Sequence, residues 1–216
     1  YFSPKISTYY ETIDTSANAS ANKKKQEGNY FETLFSYGLT VNKLNQNFQP
    51  SDGFRTTFRQ TVPIYSSDDV TFQHSFDGAK YLTYADDLVF SAKIYAEAVN
   101  SIDEDVRVSK RLHAPSSRLR GFQRGGVGPK DGNDYVGGNY VATVNVSSTV
   151  PYVLQTMENM DLKLFYDVGN VWGVDYSSSV DDSNKLRSST GVALEILTPI
   201  GPLSFSYAQP ITKADT

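Results

Sequence analysis

The chain has 216 residues, 39% of them hydrophobic, with a formal net charge of −4 and no cysteine. That length allows one or two domains. The missing thiols exclude disulfides and thiolate metal sites, and the acidic balance without a basic stripe argues against nucleic acid as a partner. No run approaches the roughly 18 consecutive apolar residues that a membrane-spanning helix needs. The 15 Tyr and 12 Phe against a single Trp point to β structure, because Tyr favours strands and sites that are apolar at one end and wet at the other.

Tyr1 already lies in a strand-like segment, with no Met start and no charged leader before it, so the chain reads as a fragment of a longer protein. Lys23-Lys24-Lys25 is the only basic run and reads as an exposed hairpin tip. From 30 to 42 the residues alternate, with Phe31, Thr33, Phe35, Tyr37, Leu39 and Val41 on one face and Glu32, Ser36, Gly38, Thr40 and Asn42 on the other. This period of two predicts a strand. After a turn at 49–53, a second strand sets Phe54, Thr56, Phe58, Val62 and Ile64 against Arg55, Thr57, Arg59 and Thr61. A turn at 66–69 leads to a strand over about 70–81, less cleanly patterned around Asp77-Gly78, and Ala85-Asp86-Asp87 turns the chain again. Segment 88–99 sets Leu88, Phe90, Ala92, Ile94, Ala96 and Ala98 against Ser91, Lys93, Tyr95 and Glu97.

A long polar, glycine-rich stretch follows over about 101–137. Alternation resumes at Tyr140–Ser147, at Leu162–Gly169, at Ser189–Ile196 and at Leu203–Ala208, and Pro199-Ile200-Gly201-Pro202 forms the last tight turn. Short or modest turns near 49–53, 66–69, 85–87, 151–159 and 199–202 contrast with longer polar connections near 14–28, 101–137 and 173–186. Most long loops are therefore expected at one end of an antiparallel sheet, although the connection between about 80 and 88 fits less cleanly.

Two architectures accommodate such strands. A soluble sandwich turns its apolar faces inward, whereas a transmembrane barrel turns them to lipid and its polar faces to the lumen. Strand length near the ~9–11 residues that cross a bilayer, the segregation of loops, and mid-strand charges (Arg55, Arg59, Lys93, Glu97, Asp167) favour the barrel. A sandwich with a solvated outer face fits the alternation alone equally well. About nine strands are visible, and the turn-like 212–216 places the closing strand, like strands before Tyr1, outside this sequence.

The motifs narrow the choice. Leu119-Arg120-Gly121-Phe122 is followed by Gly126-Val127-Gly128-Pro129 and by Gly137-Gly138-Asn139, which opens a strand; Asp167-Val168-Gly169-Asn170-Val171-Trp172 and Pro199-Ile200-Gly201-Pro202-Leu203 come later. This ordered set resembles the C-terminal barrel half of the BamA family, the outer-membrane protein insertases also called bacterial surface antigens. The resemblance is strongest from about 118 to 209. It implies a partial all-β transmembrane antiparallel barrel over 1–216, in the outer membrane of a Gram-negative bacterium, with periplasmic domains outside this chain. It also implies that the long loop folds into the lumen and that its Arg-Gly-Phe tip docks on the strand at 161–171. The alternation independently puts Phe165 and Asp167 on the lumenal face of that strand. Arg120 is then expected to form a charge-assisted pair with Asp167 and to stack on Phe165, while Gly121 lets the backbone approach closely. Relatives often carry a second acid facing this arginine; by spacing it falls near Ser147, which is neutral.

No nucleophile and base accompany Arg120 or Asp167, and His74 and His113 stand in separate segments, so no enzyme and no cofactor are expected. Asp86-Asp87, Asp103-Glu104-Asp105 and Asp181-Asp182 read as solvated loop carboxylates and not as a metal site. The resemblance implies a non-enzymatic insertase that works on nascent outer-membrane β-barrel proteins in the lipid bilayer, with periplasmic or lipoprotein partners recruited by domains outside this chain. A translocator of the same superfamily (TamA-type or two-partner secretion) is the nearest alternative, then a passive porin.

Overall fold

The computed structural model describes residues 1–85, 88–102, 104–132, 134–151, 153, 159–175, 180 and 185–212. Its elements in chain order are β1 (Phe2–Ile13), α1 (Ala21–Lys24), β2 (Gly28–Asn42), β3 (Gly53–Pro63), β4 (Thr71–Ala85), β5 (Leu88–Ser101), β6 (Lys130–Asp131), β7 (Asp134–Tyr135), β8 (Tyr140–Thr149), β9 (Met160–Trp172), β10 (Arg187–Thr198) and β11 (Gly201–Thr212). Nine strands form one antiparallel sheet in the order β1-β2-β3-β4-β5-β8-β9-β10-β11. β6 and β7 make a separate small hairpin within the long loop.

The period-two sequence dictates this sheet. On β9, Phe165 and Asp167 are buried while Leu164 and Tyr166, which alternate with them, are exposed. A fully buried carboxylate beside outward-facing leucine and tyrosine inverts the soluble arrangement and is that of a barrel wall in lipid. Aromatics line the outer face, as in the contacts among Phe2, Tyr37 and Phe58 on β1 to β3 and the edge-on pair Tyr84–Phe90. The core lies inside the wall. Val106, Leu112, Leu119 and Val127 of the long loop pack on Val99 of β5, Val141 of β8 and Val171 of β9. The apolar content of the loop therefore goes to docking it on the wall, not to a separate domain.

The sheet is curled around this loop. Arg118 pairs with Asp77 on β4, and Gly121, three residues on, abuts Ala208 and Pro210 on β11. Those strands are five spacings apart in the sheet, about 24 Å if it were flat. Three residues and one side chain do not bridge that gap. β1 and β11 are the edges and do not pair with each other, so the barrel is partial.

Strand order puts the connections 14–27, 64–70, 102–139 and 173–186 at one end and 43–52, 86–87, 150–159 and 199–200 at the other. The structure differs from the sequence reading in two places. β4 continues to Ala85 instead of ending near 81, and the turn around 66–69 lies at the long-loop end. The triple-lysine segment is also more ordered than a bare tip. Ser20 caps the single helical turn of α1, and Lys23 pairs with Asp134 at 2.9 Å. Asp86, Asp87, Asp103, Asp181, Asp182, most of the 151–159 turn and 213–216 lie outside the described residues.

Candidate functional site: a loop docked on the inner wall

The inner face of β9 presents Phe165, Asp167 and Gly169 in one row. Asp167 lies opposite Asn145 of β8 and Ser189 of β10 and is fully buried. Arg120 donates from Nη2 to Asp167 Oδ1 at 2.6 Å and from Nε to Oδ2 at 2.7 Å; its backbone N–H donates to Oδ2 at 3.1 Å. The planar fork thus meets both carboxylate oxygens, the geometry that distinguishes arginine from lysine. The guanidinium carbon lies 3.4 Å from the centre of the Phe165 ring, which adds a cation–π contact.

Gly121 follows with φ +86°, and a Cβ there would stand 3.2 Å from Ala208 Cβ. The tip reaches β11 only because that side chain is missing and the left-handed conformation is open to glycine. Leu119 is 2% exposed within the loop core, and Phe122 packs against the same core. The other motif glycines serve the path of the loop. Gly128 passes Val171, Gly137 turns with φ +72°, and Gly138 forms a two-way backbone bridge with Leu112. Gly169 packs beneath Thr143 and Ala142 of β8.

The second polar group facing the arginine site is Asn145, two residues before Ser147. Asn145 Nδ2 donates to Asp167 Oδ1 at 2.9 Å and also to the carbonyl of Arg118. Ser147 lies opposite Phe165 and bonds Ser91 at 2.7 Å. Asn145 and not Ser147 therefore contacts Asp167, and the clamp is one carboxylate plus one amide.

Several partners escaped the sequence reading. Gly191 of β10 leaves room for Phe165, since a Cβ there would lie 2.7 Å from the ring. Arg118 pairs with Asp77, the residue that interrupts the pattern of β4. A third cationic contact anchors the start of the loop. Arg107 donates from Nε to Asp69 at 2.9 Å, pairs with the fully buried Glu32 of β2, and reaches Glu11 of β1 at 3.3 Å. Its guanidinium sits 4.0 Å from the Tyr30 ring centre. Lys110 adds a 2.6 Å contact to Glu32. Burial pushes the pKa of both loop cations down from their ordinary values; the carboxylate of Glu11 opposes this for Arg107, and that of Asp69 for Lys110. The available signal was the spacing of cations in the loop (Arg107, Lys110, Arg118, Arg120) against inward-facing acids on separate strands.

Below the tip, toward the short-turn end, lies a cavity of about 610 Å³ lined in part by Arg55, Lys93, Arg118, Arg120 and Lys163. Its charged lining suits a wet lumen, and no nucleophile–base arrangement adjoins it among the described residues. His74 contacts Gln60 on the outer face at 3.0 Å, well away from His113 in the loop.

Residues 3–216 match the Omp85 superfamily domain. The chain belongs to the Omp85 superfamily. It is 26% identical over 215 residues to the outer membrane protein assembly factor BamA of Neorickettsia risticii, covering 95% of this chain and 28% of that protein. It is 33% identical over 122 residues to BamA of Neisseria meningitidis, covering 44% of this chain and 15% of that one. The crystal structure of Haemophilus ducreyi BamA lacking POTRA domains 1–3 superposes with a TM-score of 0.77 at 25% identity, over 88% of this chain and 41% of that chain. This Omp85 chain thus spans less than a third of the length of either curated relative. It is a partial transmembrane barrel of the outer membrane.

Proposed function

We propose that this chain is the C-terminal part of the barrel of an outer-membrane protein assembly factor, a non-enzymatic insertase that folds and inserts other β-barrel proteins. The support is the likeness to named assembly factors together with a lumen crossed by a docked loop. A loop whose cations are held by acids on β2, β4 and β9 obstructs steady flow, which a porin needs. Work at a barrel seam is strand addition, in which backbone hydrogen bonds template an incoming strand, and it requires no nucleophile. Periplasmic domains encoded outside this chain would deliver nascent barrels and bind lipoprotein partners. Arg120, Gly121 and Phe122 act in this reading as a structural latch, with Phe165, Asp167 and Gly169 as its seat.

The test is depletion of the full-length protein followed by complementation. Loss of barrel proteins from the outer-membrane fraction, restored by wild type and poorly by Arg120→Ala at equal protein level, is expected. Unchanged barrel content on depletion, or large steady conductance in planar bilayers, would refute the proposal in favour of a channel.

A further inference from the structure

The registers assign every strand residue to the inner or the outer face. Among the described residues of the nine-stranded sheet, every Asp, Glu, Lys and Arg lies on the inner rows except Lys80. Lys80 sits on the outer row of β4, between Phe54 of β3 and Ala92 of β5. It makes no ion pair or hydrogen bond among the described residues. A fixed charge on the lipid face is costly near the bilayer centre and close to neutral at the interface. Lys80 is five residues from the short-turn end of β4, about 12 Å along the membrane normal for a strand tilted near 40°. That is near the middle of an apolar band about 25 Å tall, so only with its stem extended along the apolar wall can its ammonium approach the headgroup layer at the short-turn, periplasmic side.

A groove opens beside it. A cavity of about 580 Å³ on the outer face is lined by Lys80, Leu82, Phe90, Ala92, Val146 and Leu164, among others. Ala92 and Ser148 form a low floor, and Leu82, Phe90 and Leu164 rise around it in adjacent register positions. An apolar channel with one unpartnered cation at its edge matches an acyl chain joined to a phosphate.

We propose that Lys80 and this groove form a binding site for an anionic phospholipid of the periplasmic leaflet, with the phosphate at Lys80 Nζ and one acyl chain over Ala92. The occupant is a phospholipid and not a free anion, because the groove is apolar and faces the bilayer. The site rests on the membrane-spanning reading of the sheet and not on the insertase reading.

The experiment uses the full-length protein in nanodiscs of equimolar phosphatidylcholine and phosphatidylglycerol, with lipids retained after gentle detergent extraction counted by native mass spectrometry. Wild type is expected to retain phosphatidylglycerol about fivefold over phosphatidylcholine, the factor for one lysine at an anionic surface. Lys80→Gln abolishes the preference and Lys80→Arg keeps it. Ala92→Trp, which fills the groove, lowers retention of phosphatidylglycerol with Lys80 intact. Heat-dependent gel mobility verifies that each variant is a folded barrel. Equal retention of the two lipids by wild type, or an unchanged ratio in Lys80→Gln, overturns the site. Failure of the wild type to show barrel mobility would instead overturn the membrane reading beneath it.

Discussion

Removing Arg120 tests the docked tip most directly. Asp167 has no exposed surface and accepts from Arg120 Nε, Nη2 and backbone N, and from Asn145 Nδ2. Arg120→Ala deletes both guanidinium bonds and the only cation paired with this carboxylate among the described residues, so a buried charge loses its partner. That costs about 3–5 kcal/mol. Asp167→Ala is milder, about 2–3 kcal/mol, because the Arg120 side chain keeps 21% exposure, borders the lumenal cavity, and stays over Phe165. The two changes share the same bonds, so the double variant should fall short of their sum by about 1.5–3 kcal/mol. Arg120→Lys keeps the charge but loses the fork and much of the stacking, and should recover less than half of the loss. Urea unfolding of the full-length protein in micelles measures each corner of the cycle, and protease sensitivity of the loop reports its release. The exposed Arg124 is the control. A coupling below about 0.5 kcal/mol, or an Arg120→Ala cost no larger than that of Arg124→Ala, would refute the docking argument.

Gly121→Ala forces a side chain into a left-handed conformation against Ala208 and should cost about 1–3 kcal/mol, measured by the same unfolding assay. Asn145→Ala removes donors to Asp167 and to the Arg118 carbonyl and should cost about 1–3 kcal/mol; an equal effect of Ser147→Ala would contradict the register. Glu32→Ala leaves Arg107 and Lys110 without their shared buried carboxylate; protease cleavage is then expected near 102–112 with the Arg120 tip still protected. Gly191→Ala drives a methyl into the Tyr207 carbonyl of β11 and the Phe165 ring and should loosen the β10–β11 pairing as well as release the loop, as read by proteolysis.

The local pattern determined much of this protein. Alternation alone placed Phe165 and Asp167 on one face of β9 and Leu164 and Tyr166 on the other, because the side-chain period of a strand is two whatever its neighbours are. The ordered glycines and Arg-Gly-Phe marked the loop and led to the family that the domain match establishes. Tertiary structure decided what depends on register and curvature. A shift of one inward position separates Ser147 from Asn145, and only the β8–β9 pairing selects Asn145 as the neighbour of Asp167. Arg107 and Glu32 are 75 positions apart, and Arg118 and Asp77 are 41, so only the curled wall brings the loop cations to acids on β2 and β4. The isolation of Lys80 on the outer face likewise emerges only when nine strands are aligned row by row. Periodicity is a property of each strand, whereas which row meets which, and how tightly the sheet closes on its loop, is a property of the assembled wall.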